Sequence, residues 1–147
     1  MKRSKKLEPV VHLKQKASHE ALLKLGEVNS LLQKEQQQLD DLIRYREEYL
    51  ARFRQEDPMV MNAKKALELR GFLIQLDQAI DAQREQVGRN QQRVKQQQAS
   101  WLDARSKEQA VNSLVKRYQI IEAQKEAKRE QHSTDEHAAL QWRKRLQ

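Results

Sequence analysis

Apolar residues recur along the chain at alternating steps of three and four. The first series runs Val11, Lys14, Ser18, Ala21, Leu25, Val28, Leu32, Glu35, Leu39, Leu42, Arg46, Tyr49 and Phe53. Nine of these thirteen positions are apolar, against 37% for the whole chain. That is a coiled-coil seam, weak at its start and firm from Ala21 onward. A second series runs Ala66, Leu69, Leu73, Leu76, Ile80, Gln83, Val87, Asn90, Val94, Gln97, Trp101, Ala104, Glu108, Val111, Val115 and Tyr118. Twelve of these sixteen are apolar. The polar members Gln83, Asn90, Gln97 and Glu108 cost stability in a seam but can fix its register. Gly26 beside the first series weakens a helix by about 1 kcal/mol relative to Ala.

Between the two series lies the strongest break in the chain, Asp57-Pro58-Met59-Val60-Met61-Asn62. Pro58 lacks an N–H and clashes with the preceding turn, so the first helix should stop near Glu56. The Asn62 side chain can cap the first free N–H groups of a helix beginning at Ala63. Pro9 suits a helix's first turn. The expected elements are therefore a basic arm over 1–8, a helix over about 9–56, a bend over 57–62 and a helix over about 63–131. His132-Ser133-Thr134-Asp135-Glu136 reads as a further break, with Ser133 or Thr134 capping a short last helix over 134–146. The expected fold is all-α: a single two-stranded antiparallel coiled-coil hairpin of two long helices, the second overhanging the first.

Folding the chain at residue 59 or 60 sets position i opposite roughly position 119 minus i. The first helix is then used up near residue 110. The remaining residues, roughly 35, would project roughly 50 Å at about 1.5 Å per helical residue. Leu114, Val115, Tyr118, Ile120 and Ile121 fall in this overhang. An apolar stripe without an internal partner points to an external one. Burial against residues 1 to 10, or a dimer, is the alternative.

Composition agrees with helices and little else. The chain has 147 residues, 34% of them charged, with three Gly, two Pro and no Cys. Few Gly and Pro argue against a many-turned sheet protein. Without Cys, disulfides, thiolate metal sites and thiol catalysis are excluded. Gln36-Gln37-Gln38 and Gln96-Gln97-Gln98 read as helical surface filler rather than low-complexity tracts. The basic start is not followed by the apolar core of a signal peptide, and no segment approaches the roughly 18 apolar residues that span a bilayer. A cytoplasmic protein without membrane insertion is expected.

Charge is unevenly spread. Residues 1–24 carry seven basic and two acidic groups, and residues 101–147 carry ten and seven. Residues 25–100 carry twelve of each, so the whole net charge of +8 resides in the terminal segments. A hairpin brings these segments together as one basic end, which should steer toward an acidic partner.

Near the bend the apolar residues exceed what one seam needs. Leu39, Ile43, Leu50 and Phe53 can fill the interface. Gln38, Leu42, Tyr45 and Tyr49 then turn toward solvent beside Phe72, Leu76 and Ala79. This competes with the seam positions assigned above to Leu42, Tyr49 and Leu76, and full burial of all of them within the hairpin stays open. Tyr suits a binding surface because it combines apolar area with a polar tip.

Leu39-x-x-Leu42-Ile43-x-Tyr45-Arg46-x-Glu48-Tyr49, followed by Gly71-Phe72-Leu73-x-x-Leu76-x-x-Ala79-Ile80, resembles the flagellar FliJ family. Chain length, the basic start and the two long helices resemble that family too. The resemblance implies a component of the flagellar type III protein export apparatus, built as an antiparallel coiled coil similar to the stalk of rotary ATPases. It implies three partners: a hexameric export ATPase whose assembly and activity it promotes, an export-gate membrane protein, and export chaperones that it escorts. On this chain the implied gate-binding strip is Gln38, Leu42, Tyr45, Tyr49, Phe72, Leu76 and Ala79. Gln83 comes next, where the family often has His. The implied ATPase-ring surface is the basic end: Lys2, Arg3, Lys5, Lys6, Lys14, Lys16, Leu114, Lys116, Arg117, Tyr118 and Ile121. The resemblance places the protein peripherally on the inner membrane at the flagellar base, and the hairpin reading predicts a monomer.

No residue pattern here suggests an enzyme or a cofactor. His12 and His19 are seven apart, and His132 and His137 five apart, whereas metal ligands sharing a helix face need three or four. The three Gly are isolated, so no phosphate loop forms. A two-stranded coiled coil offers carboxylates no closed, dry pocket. The alternatives to the export reading are a basic coiled-coil nucleic-acid binder and a homo-oligomeric scaffold. Acidic residues interleaved through 101–147 argue against groove-reading, so no nucleic-acid partner is expected.

Overall fold

The structure, a computed structural model, describes residues 1–55 and 62–146. Nearly all of them are helical: α1 (Arg3–Lys6), α2 (Glu8–Gln55) and α3 (Ala63–Leu146). No strand occurs among the described residues. The expected bend at Asp57-Pro58-Met59-Val60-Met61 lies outside them. The expected cap lies inside: the Lys65 N–H donates to Asn62 Oδ1 at 2.9 Å, and α3 starts at Ala63. The chain forms two compact units, one of Ala21–Trp101 and one of Met1–Glu20 with Leu102–Gln147.

In the first of these units α2 and α3 pack along the expected seams. Leu76 (7% exposed), Ile80 (4%), Val87 (7%) and Val94 (8%) are its buried apolar residues. Leu25, Val28, Leu32, Leu39, Leu42, Tyr49 and Phe53 are half-buried on α2. The helices are also tied by polar contacts in a regular order. Gln97 Nε2 donates to the Ala21 carbonyl at 3.3 Å, Gln83 Nε2 to the Glu35 carbonyl at 2.9 Å, and Arg46 Nε to Asp77 Oδ1 at 2.6 Å.

The other unit joins Val11, Lys14 and Ser18 of α2 to a half-buried α3 face of Ala104, Glu108, Val111, Val115 and Tyr118. The basic arm over 1–8 contains the short helix Arg3–Lys6, the chain turns at Leu7, and α2 begins at Glu8, one residue before the expected start. The structure corrects one expectation: there is no separate last helix over 134–146, since α3 runs unbroken through His132-Ser133-Thr134. The Thr134 hydroxyl donates to the Glu130 carbonyl at 2.8 Å, one turn back, so it is satisfied inside the helix instead of capping a new one.

Candidate partner-binding surfaces

Unit Ala21–Trp101 presents an aromatic cluster. The Tyr49 and Phe72 ring centroids lie 4.5 Å apart in a tilted pair, and Tyr45 meets Phe72 edge-on at 6.0 Å. Tyr45 is 48% exposed, while Tyr49 and Phe72 are half-buried. One turn along α3, Asp77 holds Arg46 in an ion pair that fixes the helices beside the rings. Gln38 and Ala79 are exposed, Leu42 and Gln83 half-buried. Leu76 departs from the expected solvent-facing strip: it is buried, because the α3 seam passes through it and Ile80 together. The rotation left open by the sequence thus resolves to a shared arrangement, in which Leu39, Leu42, Ile43, Tyr49 and Leu50 are all half-buried.

Gln83 is occupied inside the protein. Its Nε2 lies 2.9 Å from the Glu35 carbonyl, 2.6 Å from Glu35 Oε2 and 3.4 Å from Gln38 Oε1. This amide is a tie between helices before it is a surface group.

The other unit carries the charge. It holds sixteen basic and nine acidic residues, net +7, whereas Ala21–Trp101 has thirteen and twelve, net +1. Lys2, Arg3, Lys5, Lys6, Lys16, Lys116 and Arg117 are exposed, and Lys14 is half-buried. Leu114 and Tyr118 are half-buried and Ile121 is exposed. The protein's own N-terminus therefore covers part of the stripe expected to wait for an outside partner. The Ser4 N–H donates to Glu122 Oε1 at 3.1 Å and the Ser4 hydroxyl to Oε2 at 2.7 Å. Arg3 sets its guanidinium 5.7 Å from the Tyr118 ring centre. The Ser4 hydroxyl, then the Ser4 N–H, hold the Glu122 carboxyl below the usual carboxylate range, and the Lys2 charge adds to this. Beside this clasp lies an open groove of about 820 Å³ between Met1, Arg3, Tyr118, Ile121 and Arg129.

Sequence reasoning missed the clasp and the Arg46–Asp77 pair. Both had a signal. Arg46 and Glu122 extend the three-four series with a charge, and a charge at a seam position needs a polar partner. No group of metal-ligating side chains occurs among the described residues, where His132 pairs with Glu136 at 3.0 Å and His137 meets Gln141 at 3.2 Å. No helix among them is long and apolar enough to cross a membrane.

No curated protein and no solved structure matches the chain. The family model described as "Flagellar FliJ protein" matches residues 3–147. The match takes in the α1 clasp, both seams and the aromatic cluster, and the chain accordingly belongs to the flagellar FliJ family, whose members take part in flagellar protein export.

Proposed function

We propose that this protein is a non-enzymatic stalk and adaptor of the flagellar export apparatus, acting in the cytoplasm at the flagellar base. The two long helices, α2 and α3, pair antiparallel, and the protein acts as a monomer. The basic unit engages the export ATPase ring through Lys2, Arg3, Lys5, Lys6, Lys14, Lys16, Lys116 and Arg117, with Leu114, Tyr118 and Ile121 as apolar contacts. The aromatic unit engages the cytoplasmic domain of the export gate through Gln38, Tyr45 and Ala79 and the open edges of Leu42, Tyr49 and Phe72. Leu76 and Gln83 support that face from beneath. Export chaperones are a third class of partner.

The observation that carries this reading is the division of labour between the units. Seven of the eight net positive charges lie in one, and the aromatic cluster with its exposed Tyr45 lies in the other. An adaptor between two partners needs two chemically different surfaces, whereas a simple solubilising surface would spread its charge. The test is stimulation of the cognate export ATPase by the full chain, repeated with residues 1–24 deleted. Stimulation that is lost on deletion supports the stalk role. Equal ATPase rates with and without the protein rule it out.

A further inference from the structure

Three polar seam residues of α3, Gln83, Asn90 and Gln97, stand seven residues apart. The outer two do the same thing. Gln83 donates to the carbonyl of Glu35 and Gln97 to the carbonyl of Ala21, across the seam. Glu35 and Ala21 are fourteen apart, so the same seven-residue step sets Asn90 at the level of Val28. The three side chains form the rungs of one ladder on the backbone of α2.

The middle rung is broken. Asn90 is 1% exposed, and neither its Nδ2 nor its Oδ1 has a hydrogen-bond partner among the described residues. Asn is one methylene shorter than Gln, which accounts for the difference from its two neighbours. A buried amide without a protein partner destabilises its own layer, because burial gives up its exchange with bulk solvent and no protein group replaces it. Two of the three glycines, Gly26 on α2 and Gly88 on α3, point to the same place, while Gly71 lies further up α3. Gly26 lies two residues from Val28, and Gly88 two residues from Asn90. A Cβ added at either would meet nothing within 4 Å, so close packing does not call for Gly there. Each weakens its helix without improving a contact.

We propose that the Val28–Asn90 layer is a built-in flexure, the level at which unit Ala21–Trp101 opens first, held above and below by the Gln83 and Gln97 rungs. Under a sideways load the paired helices yield at this layer while they stay joined at the two glutamines. The inference stands on the seam alone and does not depend on which partners the protein has.

Amide hydrogen exchange on the full chain tests it. In the wild type, amides over 24–32 and 86–94 should exchange at least tenfold faster than those over 33–40 and 78–85. N90Q, which supplies the missing methylene, should slow exchange in that layer by about tenfold, the size of one net hydrogen bond. G26A with G88A should slow it independently. Should N90Q lose helicity, N90L is read in its place, since an apolar side chain also removes the stranded amide. A flat wild-type profile overturns the proposal. So does a folded Asn90 variant whose layer exchanges at the wild-type rate, or one that slows the whole unit evenly.

Discussion

Ser4 gives both its backbone N–H and its hydroxyl to the two carboxylate oxygens of Glu122, 118 residues further along the chain. This bidentate contact fastens α1 to α3 and makes Ser4 one of the few buried polar residues. Removing either partner should free α1 without unfolding the seams. S4A and E122A are each expected to raise amide exchange over residues 2–7, with exchange over 76–94 unchanged. If residues 2–7 exchange at the same rate in E122A, the clasp does not hold α1.

The same contact sets a pH dependence. Both Ser4 donors bind the ionised carboxylate, so the folded-state pKa of Glu122 is depressed. A depressed carboxyl contributes stability above its unfolded value, about 4.3 for Glu, and loses it as pH falls through the lower folded value. The clasp should therefore be insensitive to pH between 6 and 8 and release in acid. Carboxyl chemical shifts followed by NMR should titrate Glu122 below the ordinary glutamate value. S4A should return it toward that value, because the largest cause of the shift is then gone.

The α3 seam separates residues that matter for stability from those that do not. Leu76 and Ile80 are buried against α2, whereas Leu67 and Ile74 of the same helix are exposed. L76A and I80A should each cost about 2–5 kcal/mol in denaturant unfolding, from lost burial and the cavity left behind. L67A and I74A should stay within about 0.5 kcal/mol of wild type. Equal effects at the two pairs would mean that the seam is rotated.

The seam was legible because a three-four repeat admits one buried face per helix. All thirteen positions read on the first helix are buried or half-buried, and on the second only Ala66, in the first turn of α3, stays exposed. The Asn62 cap was equally legible, from one residue type ahead of a good helix former. The rotation near Tyr45 and Leu76 was not. Two apolar stripes compete there, and the outcome depends on how Phe72 fits between Tyr45 and Tyr49. The continuity of α3 past His132 is not legible in the sequence, because Ser and Thr cap helices and also bond back inside them, and only the Thr134–Glu130 contact decides between the two.

Tyr45 and Phe72 can be separated from the fold they sit on. Tyr45 is exposed and meets only the edge of Phe72, so Y45A should leave helicity and the unfolding midpoint close to wild type. Phe72 contacts both tyrosines, and F72A should cost more stability than Y45A. If the cluster is the gate-binding surface, the double variant should bind the gate's cytoplasmic domain at least tenfold more weakly by calorimetry, as expected for an aromatic anchor. Full affinity in a folded double variant would move the surface elsewhere.

The last stretch of α3 is helical without support. Glu122 is the final half-buried residue, and every described residue after it is exposed. Most helical stability in proteins comes from packing, so the segment depends on continuing a helix that is packed further back. Its own pairs, Thr134 to the Glu130 carbonyl and His132 to Glu136, are local to the segment. Deleting residues 134–147 should therefore leave the unfolding midpoint within about 2 °C, because little buried surface is lost. Circular dichroism should show the loss of helix with no change in the cooperativity of what remains. A large drop in midpoint would mean that the segment packs on another part of the protein in solution.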